Sequence, residues 1–281
     1  MKFHQKPWTY VELVELKVSD LEQSLKFYEE VIGFKVLDKQ ANKIWLTADG
    51  QTALLSIEQP DNVEPKLPKT TGLYHFALLL PSREDLGAVL RFFAENGIRI
   101  GAGDHLVSEA LYLNDPDGNG IEIYSDRPDS GWKWDNEFVA MDTLAINAQD
   151  ILAAGAGTEW KGLPSGTVMG HIHLQVVDIE EAKEFYELLG FEVVTPYPGA
   201  LFMSTGKYHH HIGLNTWAGA GSKPATEEMT GLEAFNIIYP SIQERDTAIT
   251  NLRTKNISIL EENDIFYTKD PSENKIKMVV K

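Results

Sequence analysis

Hydrophobic and polar positions along the chain fall into a unit that recurs four times. In the first copy an alternating stretch from Leu13 to Val18 predicts a strand. Asp20 is a suitable N-cap for a helix that places Leu21, Leu25, Phe27, Tyr28 and Val31 on or near one apolar face, and Gly33 stops it. Short strands are expected over residues 35–38, 44–47 and 53–57, with Asp49-Gly50 as a turn signal. Residues 71–127 repeat this order, with a strand over 74–80, a helix over 83–96 and a last strand over 120–124. Residues 168–217 and 231–281 make the third and fourth copies.

The repetition is visible residue by residue. Val18-Ser19-Asp20-Leu21, Phe27-Tyr28 and Gly33-Phe34 return as Val176-Val177-Asp178-Ile179, Phe185-Tyr186 and Gly190-Phe191. Leu80-Pro81-Ser82 and Asp115-Pro116 return as Tyr239-Pro240-Ser241 and Asp270-Pro271. All these pairs lie roughly 157 residues apart, so the two halves are duplicates. The fold expected is α+β, with four βαβββ modules paired into two curved-sheet half-barrel domains. Modules one and two occupy residues 9–128, and modules three and four occupy 168–281. Residues 129–167 form a linker, with Trp132, Trp134 and Pro164 and a short helix near residues 150–154; connections this long act as tethers or lids. A second Gly/Pro-rich stretch, residues 218–224, separates modules three and four.

Composition narrows the class. The chain has 281 residues, enough for two domains with real cores, and is 43% hydrophobic and 24% charged, as soluble globular proteins are. No apolar run is long enough to span a bilayer, and the first residues lack the apolar centre of a secretory signal. There is no cysteine, which excludes disulfides and thiolate metal sites and fits a cytoplasmic enzyme. The net charge of −17 argues against nucleic acid and anionic membrane as partners.

The histidines carry the chemistry. His75 and His171 stand at the same place in their modules, at the head of the first strand, where modules one and four have Leu13 and Ala234. Near the end of module two, Asp115-Pro116-Asp117-Gly118-Asn119-Gly120 delivers Glu122 between Ile121 and Ile123, so Glu122 and Tyr124 share the opposite strand face. The matching residue of module four is Lys277, which cannot bind a metal. A lone strand histidine is usually a packed or surface residue. Two at one repeat-equivalent place, with a strand carboxylate beside one of them, make the two-His, one-carboxylate triad of non-haem Fe(II) oxygenases. His173 shares the face of His171 and could orient a ligand. Glu15, with no partner histidine, is expected to be a solvated strand residue, and His4 lies in an N-terminal stretch expected to be mobile.

With His75 heading a first strand and Asp-Pro-Asp-Gly-Asn-Gly-Ile-Glu leading into a last one, the chain resembles the vicinal-oxygen-chelate superfamily, which includes glyoxalase I, bleomycin resistance proteins and extradiol dioxygenases. Residues 72–77, 103–112 and 208–215 are similar to those of Bacillus-type catechol 2,3-dioxygenases. The resemblance implies an Fe(II) cofactor, with Mn(II) as the alternative, and insertion of O2 into a small aromatic diol, as in aromatic catabolism. It implies His75, His171 and Glu122 as metal ligands and His210, His105 and Tyr112 as catalytic residues. Within the run His209-His210-His211, His210 is taken as the acid–base; a one-residue change of register would select a neighbour instead. Tyr112 would donate a hydrogen bond to substrate oxygen. Because the ligands fall in modules two and three, those modules are expected to pair, leaving one with four. A glyoxalase-like isomerase or lyase, a hydroquinone dioxygenase and a small-molecule-binding resistance protein are the rival functions; a homo-oligomer is left open.

Overall fold

The structure is a computed structural model that describes residues 2–219 and 221–281. Module one runs β1 (Tyr10–Lys17), α1 (Leu21–Phe27), β2 (Lys35–Lys39), β3 (Lys43–Thr47) and β4 (Ala53–Glu58). Module two runs β5 (Gly72–Leu79), α2 (Arg83–Glu95), β6 (Gly101–Asp104), β7 (Ser108–Asn114) and β8 (Gly120–Asp126). The connecting segment holds a small hairpin, β9 (Trp134–Asp135) and β10 (Phe138–Val139), and helix α3 (Ala148–Ala154). Module three follows as β11 (Val168–Gln175), α4 (Ile179–Leu188), β12 (Glu192–Tyr197), β13 (Ala200–Ser204) and β14 (Ile212–Asn215). Module four is β15 (Gly231–Tyr239), α5 (Ile242–Thr254), β16 (Leu260–Glu262), β17 (Ile265–Lys269) and β18 (Lys275–Val280).

Local chemistry sets these boundaries. Asp20, Ser82, Asp178 and Ser241 each accept a hydrogen bond from a first-turn amide of the helix that follows. Each cap contributes about 1 kcal/mol. A π-helical turn, Tyr28–Ile32, continues α1, and Gly33 ends it in the left-handed region, at φ 88°. Asp115 and Asp270 organise equivalent turns: one oxygen of each accepts two backbone amides, and the other accepts an Asn side chain and a tyrosine hydroxyl. The tyrosines, Tyr28 and Tyr186, belong to the preceding module.

The strands form two eight-stranded sheets that do not follow the halves of the chain. One has the order β12-β13-β14-β11-β5-β8-β7-β6, joining modules three and two; the other has the order β16-β17-β18-β15-β1-β4-β3-β2, joining modules four and one. The first strands pair antiparallel at each centre, β11 with β5 and β15 with β1. Alternation then decides what each face carries. Phe76, Leu78, Ile172 and Leu174 lie in the same apolar core as Val14, Leu16, Phe235 and Ile237 of the other sheet. The intervening His75, His171 and His173 fall on the opposite face.

The 129–167 segment is fixed to the body rather than strung between halves. Arg83 bridges Glu109 and Asp150, and Arg91 donates to the carbonyls of Leu152 and Gly155 at the end of α3. Helices α2 and α3 meet through glycine: a Cβ on Gly87 would lie 2.2 Å from the Ile151 carbonyl oxygen and 2.6 Å from the Gly155 nitrogen. In an open helix Gly→Ala gains up to about 1 kcal/mol. Here Gly87→Ala is expected to lose roughly 1–3 kcal/mol by overpacking, read as a lower urea midpoint at unchanged slope.

The N-terminal residues correct an expectation. Phe3 and His4 are buried, not mobile: His4 Nε2 lies 2.8 Å from the Gly170 carbonyl oxygen, and its ring meets Tyr208 edge-on at 4.8 Å. The Phe3 ring lies 5.1 Å from that of Tyr208, and the Phe3 carbonyl accepts from His211. Burial lowers the His4 pKa from 6.5 to about 4. The unfolded chain therefore takes up a proton at His4 that the folded chain refuses. Stability from this group is complete above pH 6.5 and is lost as pH falls from there toward 4, by about 3 kcal/mol in all. His4→Phe is expected to flatten that limb of a stability-versus-pH curve.

Candidate metal centre

Three side chains converge on the concave face of the first sheet. Across the parallel pair β5–β8, Ala77 is the partner of Glu122; across the antiparallel pair β5–β11, His75 is the partner of His173 and Ala77 that of His171. This register brings Glu122 Oε2 to 3.1 Å from His75 Nε2 and 3.2 Å from His171 Nε2, with 3.3 Å between the two imidazole nitrogens. All three residues are buried. Donor atoms held about 2.1 Å from one ion lie roughly 3.0–3.4 Å apart, so the set fits a divalent metal. Burial lowers His171 to about 4, leaving a neutral imidazole with a free lone pair at pH 7. Burial alone would raise Glu122, but His171 and His75 outweigh it and hold the carboxyl well below its ordinary value. The site thus offers two nitrogens and one anionic oxygen.

The corresponding place in the second sheet explains why there is one such cluster among the described residues. Lys277 stands at the Glu122 position and forms an ion pair with Glu15, which also pairs with Lys43 at 2.6 Å. Glu15 is therefore not the solvated residue expected from sequence; it is 3% exposed. Burial raises its carboxyl, and Lys277 and Lys43 more than reverse this. An ammonium group here fills the role of a bound cation.

Module three carries a second asymmetry. By register, its counterpart of Glu122 is Gly213, opposite His173. A Cβ on Gly213 would lie 2.8 Å from the His173 ring, so the imidazole takes the space of a fourth ligand. His173 itself accepts a hydrogen bond from Asn215 Nδ2 at 3.0 Å and packs edge-on to His75 at 4.9 Å.

A cavity of about 470 Å³ opens beside the triad. His105, Tyr112 and His210 line it together with His75 and Glu122. Tyr112 is the cross-strand partner of Glu122. Its hydroxyl lies 2.6 Å from His105 Nε2, while His105 Nδ1 lies 2.9 Å from the Asp142 carbonyl oxygen. A carbonyl only accepts, so Nδ1 carries the hydrogen and Tyr112 donates to Nε2. Burial, reinforced by the charge of Glu122, raises the Tyr112 pKa well above 10 and keeps the hydroxyl protonated. The His210 ring lies 4.0 Å from that of His171. Burial, then neighbouring imidazoles, holds His210 well below the usual histidine value. His209 and His211 are engaged elsewhere, with Asp126 and Phe3 respectively.

Several wall residues were not singled out from sequence. Tyr74, Tyr197, Phe202 and Trp217 form an aromatic side, and Met141, Asp142 and Thr143 of the connecting segment close another. Tyr74 precedes a ligand and Trp217 follows β14, but an aromatic residue on or beside a strand carries no mark of function by itself.

The fold and the duplication define a class. A family model described as the glyoxalase/bleomycin resistance protein/dioxygenase superfamily matches residues 11–123 and 168–278, and the chain belongs to that superfamily. Within it, the chain is 46% identical over 268 residues to catechol-2,3-dioxygenase of Bacillus subtilis, covering 94% of each protein. Among solved structures it is similar in fold to a putative dioxygenase from Bacillus subtilis, with a TM-score of 0.68 at 10% identity, covering 96% of this chain and 84% of that one. Glyoxalase I from Zea mays aligns with a TM-score of 0.58 at 16% identity, over 97% of this chain and 92% of that one. No described helix is long and apolar enough to cross a membrane.

Proposed function

We propose that the protein is an Fe(II)-dependent extradiol dioxygenase that cleaves a small, uncharged aromatic diol with O2. The observation that carries this reading is the buried His75–His171–Glu122 triad, three donors and not four, at the wall of a cavity large enough for a substituted ring. The similarity to a relative named catechol-2,3-dioxygenase supports the same chemistry. The place of a fourth ligand is Gly213, which speaks against a glyoxalase-type site. When bound, the divalent ion supplies a charge that lowers the pKa of the diol's hydroxyls and coordination positions for diol and O2.

The chain's own groups do the rest. Glu122 and the two imidazoles hold the ion. His210 takes a proton from a substrate hydroxyl and returns one later, a task suited to a neutral imidazole. Tyr112 donates its hydrogen bond toward substrate oxygen, swinging from His105, which keeps the hydroxyl in place meanwhile. Tyr74, Phe202 and Trp217 offer the ring faces and edges. No lysine or arginine is among the described lining residues, and Asp142 is. A diol bearing a carboxylate would meet no counter-charge.

Anaerobic Fe(II) loading followed by an oxygen electrode tests this. The expectation is about one iron per chain and O2 uptake with catechol and alkylcatechols. For carboxylated catechols kcat/KM should be at least roughly tenfold lower, the equivalent of about 1.4 kcal/mol. No uptake with any diol, from Fe(II)- or Mn(II)-loaded protein, would sink the proposal.

A further inference from the structure

Behind His210 a chain of hydrogen bonds runs through His209 to the partly exposed Asp126. His209 Nε2 lies 2.8 Å from Asp126 Oδ1, and His209 Nδ1 lies 2.7 Å from His210 Nδ1. The His209 ring is fully buried, packed against Tyr208 at 4.0 Å and meeting Trp132 edge-on at 5.2 Å. Trp132 comes from the connecting segment, so a feature of the 129–167 insertion holds this ring. The same Asp126 oxygen accepts the Tyr208 hydroxyl at 3.3 Å, and Tyr208 is in turn 2.7 Å from the Tyr124 hydroxyl. Asp126, at the end of β8, is partly exposed, whereas His210 faces the cavity.

Donor and acceptor logic orders the hydrogens. An ionised carboxylate only accepts, so His209 Nε2 carries a hydrogen. A neutral imidazole then has a bare Nδ1. With His209 neutral, the hydrogen between the two Nδ1 atoms belongs to His210. That leaves His210 with a bare Nε2, and no described protein group hydrogen-bonds to that atom. The opposite arrangement would set the lone pair of His209 Nε2 against the carboxylate.

We infer that Asp126 and His209 are positioning residues that hold His210 in the Nδ1–H tautomer, so that its Nε2 lone pair faces the substrate cavity. The inference rests on the dioxygenase reading only for what His210 then does. The tautomer is a property of the protein without turnover. In the other tautomer His210 would present a hydrogen and could not act as a base, in the way a triad histidine fails when its orienting carboxylate is lost.

Long-range 1H–15N correlation spectra of the metal-free, full-length protein test this through the histidine ring nitrogens. His210 should show a protonated Nδ1 and an unprotonated Nε2. In Asp126→Ala the Nε2–H form should appear. With Fe(II) loaded, Asp126→Ala should lose roughly 10–100-fold in kcat at unchanged iron content and KM, the size typical of a lost outer partner. A protonated His210 Nε2 in the unsubstituted protein overturns the inference, whether or not the variant folds. So does Asp126→Ala with an unchanged tautomer and kcat. If the tautomer is as stated but no diol is oxidised, the dioxygenase reading falls and the positioning chain stands.

Discussion

Glu122→Ala is expected to leave a folded protein that holds no metal and consumes no oxygen. Glu122 is the one carboxylate among the three donors, and of the imidazoles that remain, His171 is held neutral at pH 7 by burial. Loss of a partner that merely orients a ligand costs about 10–100-fold in metal affinity. Loss of the carboxylate itself removes both a bond and the charge that balances the ion, so iron after anaerobic loading and gel filtration should fall to background. The fold should survive. In the metal-free protein the imidazoles hold the Glu122 carboxyl below its ordinary value, so its removal costs some stability, but the apolar core between the sheets does not include it. A thermal midpoint far below that of the metal-free parent would show that Glu122 is structural instead.

His210→Ala should separate chemistry from metal binding. His210 lies against His171 without belonging to the triad. Removing a general acid–base lowers rates by roughly 10²–10⁴-fold, and that loss should fall on kcat, with iron content kept and KM little changed. The neighbouring His211→Ala is the control. His211 is buried beneath the N-terminal residues, with Nε2 on the Phe3 carbonyl and Nδ1 near Ser204. Its loss should lower the urea midpoint and spare kcat. If His211→Ala instead abolished turnover and His210→Ala did not, the acid–base would lie on the other side of the strand.

Much of the fold was legible because a duplication repeats each signal. The N-caps Asp20 and Asp178, the stop at Gly33 and the Asp-Pro turns recur at matching places, and strands and helices start within a few residues of where patterning puts them. The triad was legible for the same reason: His75 and His171 stand out only against Leu13 and Ala234. What stayed hidden depends on distant partners. Glu15 is buried because Lys277 and Lys43 reach it, and no local pattern reports an ion pair made across strands. His4 is buried because Gly170 and Tyr208 receive it. Asp126 and Met141 look like strand-end and loop residues until the connecting segment folds over the sheet.

The exchange of modules between sheets also has a consequence for synthesis. His171 is separated from Glu122 by 49 positions and from His75 by 96. When the first half leaves the ribosome, β1 and β5 each lack the neighbour that will cover one edge, since those neighbours, β15 and β11, come from the second half. Unpaired edges of this kind invite wrong pairing, and the distant closure delays the correct one. Two of the three candidate ligands, His75 and Glu122, are made early, yet the cluster is incomplete until β11 brings His171. On the proposed function, metal uptake by a growing chain would therefore mark the moment at which the second half arrives.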